Sequence, residues 1–233
     1  MNQMKQSHDQ WRPRGPFEDM PLAPSSGAGV MVRDRDGMGI ASVLARRGQY
    51  KEIAARCRQR FGVELASRPR RSCGGGIAFI ATGPGAWWAT CEDAANVLAD
   101  ELAQVFGECA AISDQSDGQA VLRLSGPKVR EALCKLVPID LHPRAFAVND
   151  VAVTVASHIG VTLWRLQDEQ NGDAVFEMAV YRSLAGSFWT ALSSAAAEFG
   201  VGRVASIGPT VLDVSNPSVP ECRGSPEREI VGR

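Results

Sequence analysis

Residues 151–166 read VAVTVASHIGVTLWRL, and the way their side chains alternate decides the fold. Two β-branched, apolar runs flank Ser157-His158, so they are expected to pair as neighbouring strands. In the second run Ile159, Val161 and Leu163 share one face, while Thr162, Trp164 and Leu166 share the other. The next run, AVFEMAV at 174–180, sets Val175 and Ala179 against Phe176, Met178 and Val180. A sheet with helices on one side needs only one apolar face. Here both are apolar, so the second must also be covered, by the other half of the chain or by another chain.

Working outward, the same alternation and its helical counterpart organise the rest. GMGIASVLA (37–45) reads as a strand, and QYKEIAARCRQRFG (49–62) as a helix with Tyr50, Ile53, Ala54, Cys57 and Phe61 on one side, closed by Gly62. IAFIATGPGAWWATC (77–91) reads as a hairpin turning at Gly83-Pro84-Gly85, with the adjacent Trp87 and Trp88 on opposite faces. Thr90 and Asp93 are expected to open a helix carrying Ala94, Val97, Leu98, Leu102 and Val105 up to Gly107, before a strand near ECAAIS. A second pass follows: QAVLRLS, a helix after Pro127 with Val129, Leu133 and Leu136, the three strands above, and a long helix capped by Ser183 and ended by Gly200. The expected fold is α+β, with two tandem ferredoxin-like β-α-β-β-α-β halves at about 37–116 and 117–205. Residues 1–36 and 212–233, rich in Pro, Gly, Ser and mixed charge, read as a flexible N-terminal arm and C-terminal tail around a folded domain at 37–211.

With 233 residues and 45% apolar content the chain can bury a full core. No apolar run is long enough to span a membrane, and the first residues lack an apolar signal core. The six cysteines are scattered, with no CxxC pair. Neither a zinc site nor a disulfide framework is indicated, and a cytoplasmic location suits them. Charge is uneven: residues 1–71 hold fourteen Lys/Arg against seven Asp/Glu, the remainder eleven against nineteen. A solvated helix face, or a patch meeting an acidic protein, accounts for the basic part more simply than nucleic acid, which no basic run or aromatic-rich strand favours.

PIDLHPRAF (138–146) is the one stretch with the residue types of an acid/base site. His142 precedes Pro143, which biases it toward extended backbone. Extended, Asp140, His142 and Arg144 fall on one side, about 7 Å apart. An Asp–His pair can hold an imidazole in one tautomer, but a nucleophile is then needed, and Ser116, Ser125 and Cys134 are candidates by sequence proximity only. The simpler reading is a histidine satisfied by loop backbone or held by a partner. The glycine-rich CGGGIAFI and ATGPGAWW match neither dinucleotide nor P-loop spacing. No acidic or histidine cluster indicates a metal.

Residues 114–146, DQSDGQAVLRLSGPKVREALCKLVPIDLHPRAF, resemble the gamma subunit of heterotetrameric sarcosine oxidase. HIGVTLWRL (158–166), YRSLAGSFWTAL (181–192) and IAFIATGPGAWWA upstream fit the same pattern in the same order, so the resemblance covers roughly 75–200. That family in turn resembles the folate-binding fold of aminomethyltransferases. The resemblance implies a small non-flavin subunit, partnered by alpha, beta and delta subunits. The complex would oxidise sarcosine with oxygen to glycine and hydrogen peroxide and pass the one-carbon unit to tetrahydrofolate. FAD, FMN, NAD, zinc and tetrahydrofolate would belong to the partners. Under it, no residue of this chain is catalytic, cofactor-binding or metal-binding. Asp140, His142, Pro143, Arg144, Trp88, Trp164 and Trp189 become interface or structural residues, and the chain alone would expose apolar surface and aggregate. Two alternatives stay open: a folate-binding one-carbon-transfer protein, although no KGCYxGQE-like segment is present, and the equivalent subunit of an oxidase or dehydrogenase for another N-methyl amino acid.

Overall fold

Alternation of side chains along the strands, with apolar stripes on the helices, produces two sheets that face each other with helices outside. The computed structural model describes residues 14–20, 27–92, 94–95 and 97–204. The first sheet holds β2 (Gly39–Ala45), β3 (Arg71–Gly74), β4 (Ile77–Gly83), β5 (Ala86–Cys91) and β6 (Ala110–Asp114), in the order β3-β4-β5-β2-β6. The second holds β1 (Val30–Asp34), β7 (Gln119–Ser125), β8 (Val151–Ala156), β9 (Ile159–Leu166), β10 (Val175–Tyr181) and β11 (Val201–Arg203), in the order β11-β1-β7-β10-β9-β8. Two helices, α1 (Tyr50–Phe61) and α2 (Leu98–Phe106), cover the first sheet. The other two, α3 (Val129–Cys134) and α4 (Ala185–Ala196), cover the second.

Position by position the two orders match, with β3 and β11 as strands that the side-chain alternation alone did not pick out. The exception is β1. It lies between β7 and β11, antiparallel to the first and parallel to the second. This corrects the reading of residues 1–36 as a loose arm. Val30 and Val32 are fully buried in the core under α3 and α4, and so is Phe17, well before the strand. Arg203 fastens that region by donating to the Phe17 carbonyl at 2.7 Å and to Asp34 Oδ2 at 2.5 Å. The rest of the expected arm, and the tail at 212–233, lie outside the described residues.

Three cores result. Ile53, Cys57, Phe61, Leu98, Leu102 and Phe106 pack on Val43, Phe79 and Trp87 of the first sheet. Val129, Leu133, Phe188, Trp189 and Leu192 pack on Leu122, Leu163, Phe176 and Met178 of the second. Between the sheets sit Met38, Ile40, Ile80, Val121, Val151, Trp164 and Ala179. So the second apolar face is covered by the other half of the same chain.

Helix ends depart from expectation in two places. Thr90 is buried in β5 and α2 starts only at Leu98, without a side-chain cap, while Asp93 lies outside the described residues. Ser183 sits within a short 3-10 turn, and α4 begins after Leu184, again without a side-chain cap. Gly62 does close α1, at φ 67°, where a side chain would be strained. Cys57, Cys73, Cys109 and Cys134 are free thiols.

Candidate functional site

Pro138–Phe146 is a compact turn, which overturns the extended reading. The His142 carbonyl accepts from the N–H groups of Ala145 at 2.8 Å and Phe146 at 2.9 Å, so the chain curls where Pro143 was expected to hold it straight. Asp140 Oδ1 accepts from the backbone N–H of His142 at 2.8 Å, and His142 Nδ1 accepts from the N–H of Arg144 at 3.2 Å. The carboxylate therefore orders backbone, and loop backbone instead of the carboxylate holds the imidazole, as the simpler reading of this stretch expected. Asp140, His142, Pro143 and Arg144 are all exposed, and His142 bonds to none of Ser116, Ser125 and Cys134 among the described residues. Ser116 instead joins Asp114 to the carbonyls of Ile40 and Ala95. Buried Leu141 and Phe146 anchor the turn, and their carbonyls accept from Arg130 Nη1 and, at 3.0 Å, Arg165 Nη1. Burial, and next the charge of Arg165, lower the pKa of Arg130.

The tryptophans separate by depth. Trp164 is 1% exposed in the core between the sheets, and Trp189 is 4% exposed on α4. Both are thus packed within the chain, which leaves them no surface to offer a partner. Trp88 is half-buried on the inner face of the first sheet, opposite Trp87 on the helix-covered face. Of the three, only Trp88 reaches the surface.

A signal that sequence patterning did not single out lies in the register of the second sheet. Arg33 on β1, Arg123 on β7, Glu177 on β10, Trp164 on β9 and Val151 on β8 are successive cross-strand partners in one row. Glu177 is 4% exposed and saturated with donors. Its Oε1 accepts from Arg123 Nε at 2.9 Å and lies 3.0 Å from Arg35 Nε, at an angle that makes the latter an ion pair without a hydrogen bond. Its Oε2 accepts from Trp164 Nε1 at 2.8 Å. Exposed Glu92 adds an ion pair to Arg35. A buried carboxylate so placed ties neighbouring strands of the second sheet together on its inner face.

Beyond that row the inner face emerges into solvent. Tyr181 on β10, Val153 and Val155 on β8 continue the face that carries Trp164 and Ala179, and they are 60%, 60% and 44% exposed. Leu44 does the same on the first sheet at 49%. These are the large apolar side chains the fold leaves uncovered next to its smallest core. Among the described residues no group of three His, Cys, Asp or Glu could hold a metal ion, and no helix is long and apolar enough to cross a membrane.

A model of the sarcosine oxidase, gamma subunit family matches residues 48–198. The chain belongs to that family. Two curated members, sarcosine oxidase subunit gamma of an Arthrobacter sp and of Corynebacterium sp. (strain P-1), are 36% and 37% identical over 94 residues. Each of those matches takes in 40% of this chain, which spans 46%, about half, of the relative's length. Among solved structures, a heterotetrameric sarcosine oxidase from Corynebacterium sp. U-96, in complex with pyrrole 2-carboxylate, aligns with TM-score 0.67 and 25% identity, covering 83% of this chain and 99% of that one. The glycine cleavage system aminomethyltransferase T of Bartonella henselae shares the fold, with TM-score 0.54 and 14% identity over 76% of this chain and 48% of its own.

Proposed function

We propose that this chain is the small, non-flavin gamma subunit of a heterotetrameric sarcosine oxidase and that it works by holding the assembly together. The complex would demethylate sarcosine oxidatively to glycine with hydrogen peroxide and transfer the one-carbon unit to tetrahydrofolate. FAD, FMN, NAD and zinc would be carried by the alpha, beta and delta partners. In the same reading the two halves are ferredoxin-like units, supported by their matching strand orders with β1 inserted into the second.

The observation that carries the assembly role is the uncovered inner face at Val153, Val155 and Tyr181. Apolar side chains of this size, grouped on a regular sheet surface next to a core, are what a partner covers. The exposed turn at Asp140, His142, Pro143 and Arg144, anchored on the helix-covered side of the same sheet, would be a separate polar contact. The test is co-expression of the full chain with candidate large subunits. The wild-type chain is expected to co-purify stoichiometrically with a flavoprotein that turns over sarcosine. Val153→Glu with Tyr181→Glu is expected to leave the chain folded, by circular dichroism, while abolishing co-purification. Unchanged co-purification of that double variant, or turnover of sarcosine by the chain alone, would refute the proposal.

A further inference from the structure

At the β1 end of the row through Glu177 the charges do not balance. Arg33 and Arg123 are direct cross-strand partners, and like charges in that position repel. Arg123 is compensated by Glu177, on its other side, at 2.8 Å. Arg33 has no acidic partner among the described residues. Across from them, Arg71 on β3 of the other sheet contacts, among the described residues, the neutral groups Asn149 Oδ1 and Cys73 Sγ, each at 3.3 Å. Arg33, Arg71 and Arg123 line one cleft of about 380 Å³ with Ser125 and Gln167, and Met31, Leu166, Val175 and Val204 supply apolar wall. Glu169 lines it too, with its side chain exposed. Glu177 is shared by Arg123 and Arg35, and Glu92 reaches both, so four guanidinium groups including Arg35 face the three carboxylates Glu92, Glu169 and Glu177, which leaves one charge uncompensated.

We infer that this cleft, walled by both sheets, is a binding site for a small organic monocarboxylate. Two guanidinium groups approaching from different sheets provide the forked donors that a carboxylate takes best. The apolar wall suits an uncharged body attached to it, and the volume falls in the range of small-molecule sites. Glu169 and the single surplus charge disfavour a dianion such as phosphate. The mispairing of Arg33 with Arg123 then has a purpose: a repulsion tolerated by the empty protein and relieved by the ligand.

Thermal shift and calorimetric titration of the full chain with benzoate test this, with benzyl alcohol and inorganic phosphate as the neutral and dianionic comparisons. Benzoate is expected to raise the Tm saturably, and the other two to do so far less. Arg33→Gln is expected to raise the Tm of the unliganded chain while weakening benzoate at least tenfold. Arg71→Gln, from the other sheet, should weaken benzoate similarly, and Arg47→Gln, on a remote exposed turn, should leave it unchanged. Equal responses to benzoate and benzyl alcohol, phosphate binding as tightly as benzoate, or full benzoate affinity in both Arg33→Gln and Arg71→Gln would overturn the assignment. So would a lowered Tm in unliganded Arg33→Gln, because Arg33 would then be a structural residue.

Discussion

Glu177 concentrates the electrostatics of the second sheet's inner face in one side chain. It accepts from Arg123 and Trp164 while Arg35 lies against it, so removing its charge leaves two guanidinium groups without their buried counter-ion. Glu177→Gln is expected to cost about 3 kcal/mol in chemical denaturation, the low end for breaking a buried pair. Trp164→Phe keeps most of the ring but withdraws one donor from the carboxylate, and should cost about 1.5 kcal/mol. In the Glu177→Gln background the second change should cost less, since the two share one interaction. Additive losses would show that the carboxylate and the indole act separately. Cys57 gives a second residue-scale expectation. Burial pushes its thiol up to about 12, so the folded chain binds a proton there between about pH 9 and 12 that the unfolded chain has released. By linkage, stability falls as pH rises through that window. Native protein at pH 8 should therefore alkylate at exposed Cys73 and Cys134 and spare Cys57 until denaturant is added, as mass spectrometry of iodoacetamide adducts would show.

At the scale of elements, the β8–β9 hairpin shows a local compromise. Ser157 and His158 both have positive φ, 45° and 74°, which a two-residue turn between twisted strands requires and which side chains resist. His158→Gly is expected to stabilise the chain by about 0.5–1 kcal/mol in thermal unfolding, and a loss instead would mean the imidazole has a structural partner. The hairpin itself was legible, because β-branched alternation survives on both sides of the turn. So was the burial of two faces in β9 and β10, since Trp164 and Met178 announce opposite sides of one sheet. The turn at Pro138–Phe146 was misread because a pre-proline bias governs one residue, whereas Leu141, Phe146 and the distant arginines 130 and 165 govern the whole segment. Asp140 and His142 looked like a pair through residue type alone. The row from Arg33 to Glu177 was invisible for a different reason: its members lie on three strands whose register no linear reading supplies.

For the molecule as a whole, the least legible strand is among the most consequential. VMVRD carries two charges in five residues and follows a Gly-, Pro- and Ser-rich stretch, so only Val30 and Val32 betray its buried face. Removing residues 1–36 would split β7 from β11 and uncover the core beneath α3 and α4. The truncated chain is expected to lose cooperative unfolding and to bind a hydrophobic dye, whereas a sharp unaltered transition would show β1 to be dispensable. Its position has one more consequence, for the moment of synthesis. The first sheet, from Gly39 to Asp114, finds all its strands within one continuous stretch and can close while translation proceeds. The second cannot, because Val30 pairs with Val201, so the first of the described strands must wait for the last of them. Until then its apolar edge is open to chaperones, to other nascent chains, or to a companion subunit made alongside it.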